Sequence, residues 1–317
     1  MALYVGMDAG GTRSRAAVLD ASGALRGTAV GLGANPVSHV PERAFDALAG
    51  TLRAALDGLP ASDVRGLVLG LAGAGTSGRI AVADLARAAG LACPAHAVGD
   101  VVTAFAAGTA EPDGTVLVSG TGATAVRIVG RCEAAVADGN GWLLGDDGSG
   151  LWLGREAVRA ALAALDGRGA PTTLLTAVTA ALLGAPLATG AGREGAERVV
   201  AAVHGEPPIA LARLAPLVSA AAAAGDGVAG GIVARAADAL VGAVAAVRAS
   251  TERTPIVLAG SVVAGPTPVA DRTRDALAER WPGCVRMAGD PAKAAAWLAA
   301  VRSGLPARLH RTMVSLP

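Results

Sequence analysis

Two short glycine-rich segments, each placed between two apolar runs, divide the sequence into halves of similar pattern. The first, Asp8-Ala9-Gly10-Gly11-Thr12-Arg13, lies between apolar runs at about 2–8 and 14–20. The second, Ser119-Gly120-Thr121-Gly122, lies between runs at about 115–119 and 123–129. Apolar runs bounded by glycine are typical of β-strands, so each segment is predicted to be a tight turn between consecutive strands. The chain is therefore predicted to contain two related units, each opening with a strand meander.

The rest of the pattern alternates predicted strands and helices. In the first half, strands at about 24–31, 65–71 and 95–99 alternate with helices near 40–57, 78–89 and 101–109. The second half adds a strand at 132–137 and ends with strand 255–259, helix 268–280, strand 283–286 and helix 291–302. Between them lie helices near 150–165, 171–184, 194–203, 209–224 and 228–250. This order predicts an α/β fold of two domains around a central cleft, 1–112 with 289–317, and 113–288 with helical insertions.

Composition excludes several classes of protein. The 317 residues include 27 Lys and Arg against 26 Asp and Glu, a net charge of +1, so no strong field is available to attract nucleic acid or an acidic membrane. Three widely separated cysteines form no zinc motif and no disulfide framework. The first residues lack the pattern of a signal peptide, and the uncharged stretch Gly169–Gly192 is interrupted by proline and glycine. We therefore expect a cytoplasmic protein without a membrane or nucleic-acid partner.

The first glycine segment has the chemistry of a phosphate-binding turn. No helix follows it and no Gly-Lys-Ser/Thr is present, so it is neither a dinucleotide fingerprint nor a Walker loop. Glycines at 10 and 11 let backbone amides approach phosphate oxygens, and Thr12 adds a hydroxyl donor. Asp8, directly before them, is suited to hold Mg²⁺ through water. The alternative is an ordinary glycine hairpin.

The second glycine segment repeats this device, and two such turns could hold a polyphosphate from both sides. A third segment, Leu258-Ala259-Gly260-Ser261-Val262-Val263, runs from a strand into a glycine turn before a helix. Taken alone, the third segment favours an ordinary strand-to-helix turn without a binding role.

The order and spacing of the three segments resemble the sugar kinase branch of the actin-like ATPase superfamily, and most closely N-acetylglucosamine kinases of the BadF/BadG/BcrA/BcrD ATPase family. The segment from Gly139 to Gly150, with Leu151-Trp152-Leu153-Gly154-Arg155 beyond it, is similar to that family's sugar-site segment. The resemblance implies two ribonuclease-H-like domains, ATP and Mg²⁺ as cofactors, and a sugar as substrate. It implies ATP and phosphate contacts at Gly10, Gly11, Thr12, Arg13, Ser119, Gly120, Thr121, Gly122, Gly260 and Ser261.

The resemblance also implies roles for residues outside these turns. Asp100 matches the family's aspartate that accepts the proton of the attacking sugar hydroxyl, although an aspartate there is equally suited to cap a helix. Asn35 matches a sugar-binding asparagine, with a turn residue before Pro36 as its alternative. Asp146 matches the carboxylate that binds sugar hydroxyls, with a loop turn as its alternative. Other expected sugar-site positions are Gly73, Asn140 and Gly141, with Ala74 beside them.

One departure from the family pattern concerns the sugar. Asn140 stands where the family pattern Gly-Trp-Gly has tryptophan, which changes the shape and hydrogen bonding of the segment that lines the sugar pocket. Phosphorylation of N-acetylglucosamine at its C6 hydroxyl is the expected reaction, and glucosamine or a related sugar-like metabolite is the alternative substrate.

Proteins of other kinds share this superfamily or fold. A ROK-type kinase would carry a cysteine-rich zinc motif, and an iron–sulfur dehydratase activator would carry clustered cysteines, neither of which this sequence has. A non-catalytic sugar sensor has no reason to keep Asp8, Thr12 and Asp100 together. The resemblance alone also implies a homodimer.

Overall fold

The computed structural model describes residues 1–10, 13–33, 41–71 and 81–314. Within them the strands are β1 (Leu3–Ala9), β2 (Arg13–Asp20), β3 (Leu25–Leu32), β4 (Val64–Leu71), β5 (Ala95–Gly99), β6 (Gly114–Ser119), β7 (Ala123–Val129), β8 (Cys132–Asp138), β9 (Ile256–Ala259) and β10 (Val285–Met287). The α-helices are α1 (Pro41–Ala55), α2 (Val82–Ala88), α3 (Asp100–Ala106), α4 (Gly150–Leu165), α5 (Leu174–Leu183), α6 (Gly192–His204), α7 (Ala215–Ala223), α8 (Gly227–Val247), α9 (Pro268–Arg280), α10 (Pro291–Arg302) and α11 (His310–Val314). Short 3₁₀ segments lie at Ala61–Asp63, Thr189–Ala191, Pro208–Leu214 and Ala307–Leu309.

The chain divides into two compact units. The first consists of Met1–Val116, Ile128–Ala134 and Arg286–Pro317, and the second of Leu117–Arg127 and Ala135–Val285. The domain boundaries predicted from sequence, 1–112 with 289–317 and 113–288, stay a prediction.

The first unit is built on a five-stranded sheet of order β3-β2-β1-β4-β5. β1, β2 and β3 form the predicted antiparallel meander, and β4 and β5 add to it in parallel. Alternate residues of β1, among them Leu3, Val5 and Met7, enter a core with Leu48 and Leu52 of α1. Because parallel strands end at the same edge of a sheet, Asp8 near the end of β1 and Asp100 just after β5 lie toward the same edge.

The opposite face of β1 is covered by helix α10. A Cβ at Gly6 would lie 2.1 Å from the backbone of Ala292 and of Ala296, so only glycine allows the helix to approach this closely. The last long helix therefore packs against the sheet of the first unit.

The second sheet has the order β10-β9-β6-β7-β8. Its core is formed largely by the helices that the sequence predicted as insertions, and includes Leu153 of α4, Val218 of α7 and Leu240 of α8. By length and composition alone, α8 could cross a membrane. Its residues Ile232, Ala236 and Leu240 are buried within the second unit's core, which is the ordinary environment of a core helix in a folded domain.

Two helix predictions need correction. The helix predicted over 209–224 is a 3₁₀ segment, Pro208–Leu214, followed by α7, which has Pro216 in its first turn. The C-terminal helix α11 was not predicted, because five residues carry too little periodic pattern to identify a helix.

Candidate functional site

The first glycine turn connects β1 to β2 as predicted. Ala9 pairs with Ser14 across the two strands, and the Gly10 N–H donates to the Arg13 carbonyl over 3.0 Å. Gly11 and Thr12 lie outside the described residues, so their contacts with phosphate stay a prediction. Asp8 is partly buried on β1, directly before this turn.

The electrostatics of Asp8 favour a cation nearby. Burial and the neighbouring carboxylates of Asp100 and Asp290 raise the pKa of Asp8 to about 6, against a smaller opposing effect of Arg15. The Asp290 carboxylate already accepts hydrogen bonds from the N–H groups of Ala292 and Lys293 at the start of α10. Asp8 is therefore a carboxylate whose negative charge is poorly compensated by the protein.

This environment fits the Mg²⁺ that the resemblance implies. No group of three His, Cys, Asp or Glu side chains that could hold a metal ion occurs in the part of the chain that the structure describes. Mg²⁺ in phosphoryl-transfer sites is commonly held by one or two carboxylates, water and substrate phosphates. Asp8, a single carboxylate with a raised pKa, fits this mode of Mg²⁺ binding. It does not fit a closed site formed by protein ligands alone.

Asp100 is the first residue of α3, and the N-cap position belongs to Gly99. Its Oδ1 accepts a hydrogen bond from the Val101 N–H over 2.9 Å. Burial raises the pKa of Asp100, and the hydrogen bond from Val101 opposes that shift. The alternative that Asp100 is simply a helix cap is therefore weakened, since the side chain satisfies no donor farther along the helix.

The second glycine turn is held by its neighbours in the second unit. Ser119 is fully buried, and its hydroxyl donates to the Gly148 carbonyl over 3.0 Å. The hydroxyl is therefore engaged within the protein, and the phosphate contact at Ser119 stays a prediction. The carbonyls of Gly120 and Thr121 accept from the Gly150 and Leu151 N–H groups over 2.7 and 3.2 Å, which ties the turn to the start of α4.

The third segment packs directly against this second turn. Gly260 has a φ of +94°, and a Cβ there would lie 2.4 Å from the Ser119 carbonyl oxygen. The N–H groups of Val262 and Val263 donate to that same carbonyl over 2.9 and 3.3 Å. Two segments about 140 residues apart in sequence thus form one structure, in which glycine at 260 is required both by φ and by the close approach.

A cavity of about 360 Å³ opens between these two turns within the second unit. Gly120, Thr121 and Ser261, all predicted ATP contacts, contribute to its wall. The sequence did not predict the remaining lining residues, which include Ala215, Pro216, Ser219 and Thr267. Small and apolar residues of a helix give no local sequence signal of a binding site, so only the fold identifies them.

The predicted sugar segment is organised by an aspartate that the sequence analysis missed. Asp138 accepts hydrogen bonds from the N–H groups of Asn140, Asp146 and Asp147 over 3.4, 2.8 and 2.9 Å. Its φ of 63° is in the left-handed region, which Asp tolerates better than most residues. An aspartate before the glycine of a turn was the available signal.

Asp146 lies beside the second glycine turn. Its Oδ1 accepts from the Ala123 N–H over 3.2 Å, and a Cβ at Gly122 would lie 3.1 Å from that oxygen. Burial raises the pKa of Asp146, with additional contributions from Asp138 and Asp147, while the bond from Ala123 lowers it. One carboxylate oxygen remains without a hydrogen bond from the described residues.

The other predicted sugar residues are placed as follows. Asn140 and Gly141 belong to the segment held by Asp138, and the Asn140 side chain is exposed. Asn35, Gly73 and Ala74 lie outside the described residues.

Comparison with known proteins identifies the family. A family model described as the BadF/BadG/BcrA/BcrD ATPase family matches residues 5–300. The chain belongs to the BadF/BadG/BcrA/BcrD ATPase family. This confirms the predicted family and the prediction of an ATP-dependent enzyme.

Relatives of this ATPase family member include sugar kinases. An N-acetylmuramic acid/N-acetylglucosamine kinase of Clostridium acetobutylicum is 33% identical over 109 residues, which span 34% of this chain and 36% of that kinase. A crystal structure from Chromobacterium violaceum, proposed to be an N-acetylglucosamine kinase, is 26% identical with a TM-score of 0.74, covering 94% of this chain and 99% of that one.

A ROK family glucokinase from Streptomyces griseus matches in fold, with 21% identity and a TM-score of 0.55 over 94% of this chain and 99% of that one. The predicted α/β fold of the actin-like ATPase type is confirmed by these structures.

Proposed function

We propose that this member of the BadF/BadG/BcrA/BcrD ATPase family is a sugar kinase that phosphorylates N-acetylglucosamine to N-acetylglucosamine 6-phosphate. The observation that carries the proposal is the cavity in the second unit. Two separate predicted nucleotide segments, represented by Gly120, Thr121 and Ser261, line this one cavity. The kinase named for Clostridium acetobutylicum and the Chromobacterium violaceum structure support the choice of an amino sugar.

In the proposed reaction, the sugar hydroxyl oxygen forms a bond to the γ-phosphorus, the bond from that phosphorus to the β–γ bridging oxygen breaks, and ADP leaves. Asp100 accepts the hydroxyl proton. Its burial raises the pKa of the carboxyl, which brings its basicity closer to neutral pH. The backbone of the two glycine turns holds the phosphates, and Mg²⁺, held through Asp8, would neutralise charge on the β- and γ-phosphates.

Asp146 is proposed to bind sugar hydroxyls, because one of its oxygens is free to accept while the other is fixed by the Ala123 N–H. Glucosamine is the second candidate substrate. Asn140, held in the same segment through Asp138, replaces the tryptophan of the family pattern and would present an amide where an indole would contact the N-acyl group. The cytoplasmic location and the homodimer stay predictions.

The test is an ADP-release assay with ATP and Mg²⁺ against N-acetylglucosamine, glucosamine, N-acetylmannosamine and glucose. We expect N-acetylglucosamine to be turned over, and Asp100→Asn to lower kcat by about 10²–10⁴-fold, the range for loss of a general base. The charge-matched control is Asp275→Asn, on an exposed position of α9.

Three results would change the proposal. Turnover of glucosamine alone would make the Asn140 alternative correct. Full activity of Asp100→Asn would contradict the assignment of the base. Binding of N-acetylglucosamine without turnover of any sugar would favour a sugar sensor.

A further inference from the structure

A second cavity lies at the other end of the first sheet. Its volume is about 290 Å³, and it is lined by residues at the starts of β1, β4 and β5 and at the end of α10. The polar lining residues are Tyr4, Arg65, His96, Arg302 and Ser303. All of them belong to the first unit.

This cavity is separate from the phosphotransfer residues. Tyr4 precedes Asp8 by four positions on β1, which corresponds to about 13 Å along a strand. His96 likewise precedes Asp100 by four positions, near the start of β5. The strands thus place the cavity at the edge of the sheet opposite to the two proposed active-site carboxylates, and the proposed reaction gives it no role.

The cavity carries positive charge from two arginine side chains. Arg65 and Arg302 are exposed, and neither forms an ion pair or a side-chain hydrogen bond within the described residues. Among the described residues, no carboxylate lines the cavity. The carboxylate nearest to Arg65 in the sequence, Asp63, is paired with the Met1 amino group over 2.9 Å. The His96 ring adds a further hydrogen-bonding group to the cavity wall.

Tyr4 supplies a hydroxyl to the same cavity. The residue is only 3% exposed, and its hydroxyl forms no hydrogen bond within the described residues. Burial raises the pKa of Tyr4, and the nearby positive charge of Arg65 opposes that shift. A hydroxyl that lines a cavity and is not used by the protein is free to donate to an acceptor bound there.

Ser303, in contrast, is already engaged. Its hydroxyl donates to the Ala299 carbonyl over 2.8 Å in the last turn of α10. The groups available to a ligand are therefore two guanidinium groups, one phenol and one imidazole, and none of them is a negatively charged acceptor.

We propose that this cavity is a binding site for the phosphate group of a small metabolite, distinct from the ATP and sugar sites. Two guanidinium groups match the oxygens of a phosphate dianion, and the Tyr4 hydroxyl and the His96 ring provide further donors. A volume of about 290 Å³ leaves room for a compact substituent on that phosphate. Inorganic phosphate and a sugar phosphate share this chemistry, and the experiment separates them.

The experiment follows the histidine ring resonances by NMR while inorganic phosphate, N-acetylglucosamine 6-phosphate or neutral N-acetylglucosamine is added. His96→Gln assigns the His96 signal. We expect that signal to shift saturably with the phosphorylated probes and not with the neutral sugar. Tighter binding of the sugar phosphate than of inorganic phosphate would assign the site to a phosphate monoester, and equal binding would assign it to phosphate itself.

Matched variants locate the site. Arg65→Gln and Arg302→Gln should each weaken binding about tenfold or more, as expected for loss of one charge-assisted hydrogen bond. Tyr4→Phe should weaken it about threefold to tenfold while keeping the packing of the ring. Arg308→Gln removes the same charge from an exposed position that does not line the cavity, and should leave binding unchanged.

A His96 signal that does not move at millimolar phosphate would overturn the proposal. So would equal affinities for the wild type, Arg65→Gln and Arg302→Gln. Since the readout needs no turnover, either result is independent of whether the protein phosphorylates N-acetylglucosamine.

Discussion

The proposed function needs Asp8 in its charged form, and that form destabilises the folded protein. Its pKa is raised from 3.8 to about 6 in the folded protein, first by burial and then by Asp100. The folded state therefore binds a proton more tightly than the unfolded state, and this contribution to stability is lost as the pH rises from about 4 to 6. Asp8→Asn should remove activity yet stabilise the metal-free protein at pH 7 by up to about 3 kcal/mol.

Thermal unfolding of both proteins between pH 4 and 7 measures this effect. The advantage of Asp8→Asn should shrink toward zero near pH 4, where the wild-type carboxyl is protonated. Mg²⁺ should raise the Tm of the wild type and leave that of Asp8→Asn unchanged, because the metal relieves the charge only where the carboxylate exists. An Asp8→Asn protein that is less stable than the wild type at pH 7 would contradict this account.

At the scale of single residues, the sequence indicates the ends of strands better than it indicates where a hydroxyl group points. Asp8 lies next to the last residue of β1 and Asp100 directly follows β5, and such strand ends are visible in the sequence. Ser119 looked equally well placed, but its hydroxyl turns into the protein toward Gly148, 29 residues away. Asp138 was missed for the same reason, since its N–H donors become its neighbours only after the segment folds back.

At the scale of elements, the Gly260 turn is where the two predicted nucleotide segments pack against each other. Gly260→Ala places a Cβ 2.4 Å from the Ser119 carbonyl oxygen at a φ of +94°. The turn must shift, so we expect a loss of about 1–3 kcal/mol in stability and weaker ADP binding, because the cavity wall at Ser261 moves with it.

Calorimetric titration with ADP and thermal unfolding measure both effects. Gly242→Ala is the control, since this helical glycine has open space around an added Cβ and an ordinary φ. It should leave ADP binding unchanged and stabilise the protein by as much as about 1 kcal/mol. Equal ADP affinity in Gly260→Ala and the wild type would show that the cavity is not the nucleotide site.

The elements themselves were largely predictable, because glycine and apolar spacing mark their ends directly. The strands β5 and β7 and the helices α4, α9 and α10 have the predicted bounds. The sequence failed over 209–224, because alanine-rich periodicity does not distinguish a 3₁₀ turn from an α-helix. The cavity beside α7 could not be predicted either, because nothing in the sequence marks Ala215 and Ser219 as lining residues.

At the scale of the whole molecule, each unit contains a carboxylate that accepts several hydrogen bonds and is therefore needed in its charged form. In the first unit, the buried Asp20 accepts from the Ser22 and Ala24 N–H groups over 2.8 and 3.1 Å and pairs with Arg26. In the second, Asp226 caps α8 through the Val228 and Ala229 N–H groups and also binds Thr172 and Thr173. Burial opposes the charge of both, yet the hydrogen bonds lower each pKa to about 2.

Because of these two carboxylates, both units are expected to lose stability over the same acidic pH range. A folded pKa below the unfolded value contributes stability that is present above about pH 4 and is lost as the pH falls toward 2. Asp20→Asn should therefore cost about 2 kcal/mol at pH 7, since the amide cannot accept the bonds of Ser22 and Arg26 as a carboxylate does. Asp226→Asn should cost less, because Asp226 is more exposed.

Urea unfolding at pH 7, 4 and 2 tests both variants against Asp275→Asn, an exposed aspartate of α9. The stability difference between the wild type and Asp20→Asn should be complete at pH 7 and fall toward zero as the pH approaches 2, because the wild-type carboxylate becomes protonated around its folded pKa of about 2. Asp8→Asn changes stability in the opposite direction and over the separate interval of pH 4 to 6. A pH-independent difference for Asp20→Asn would mean that shape, not charge, is what this hairpin requires of Asp20.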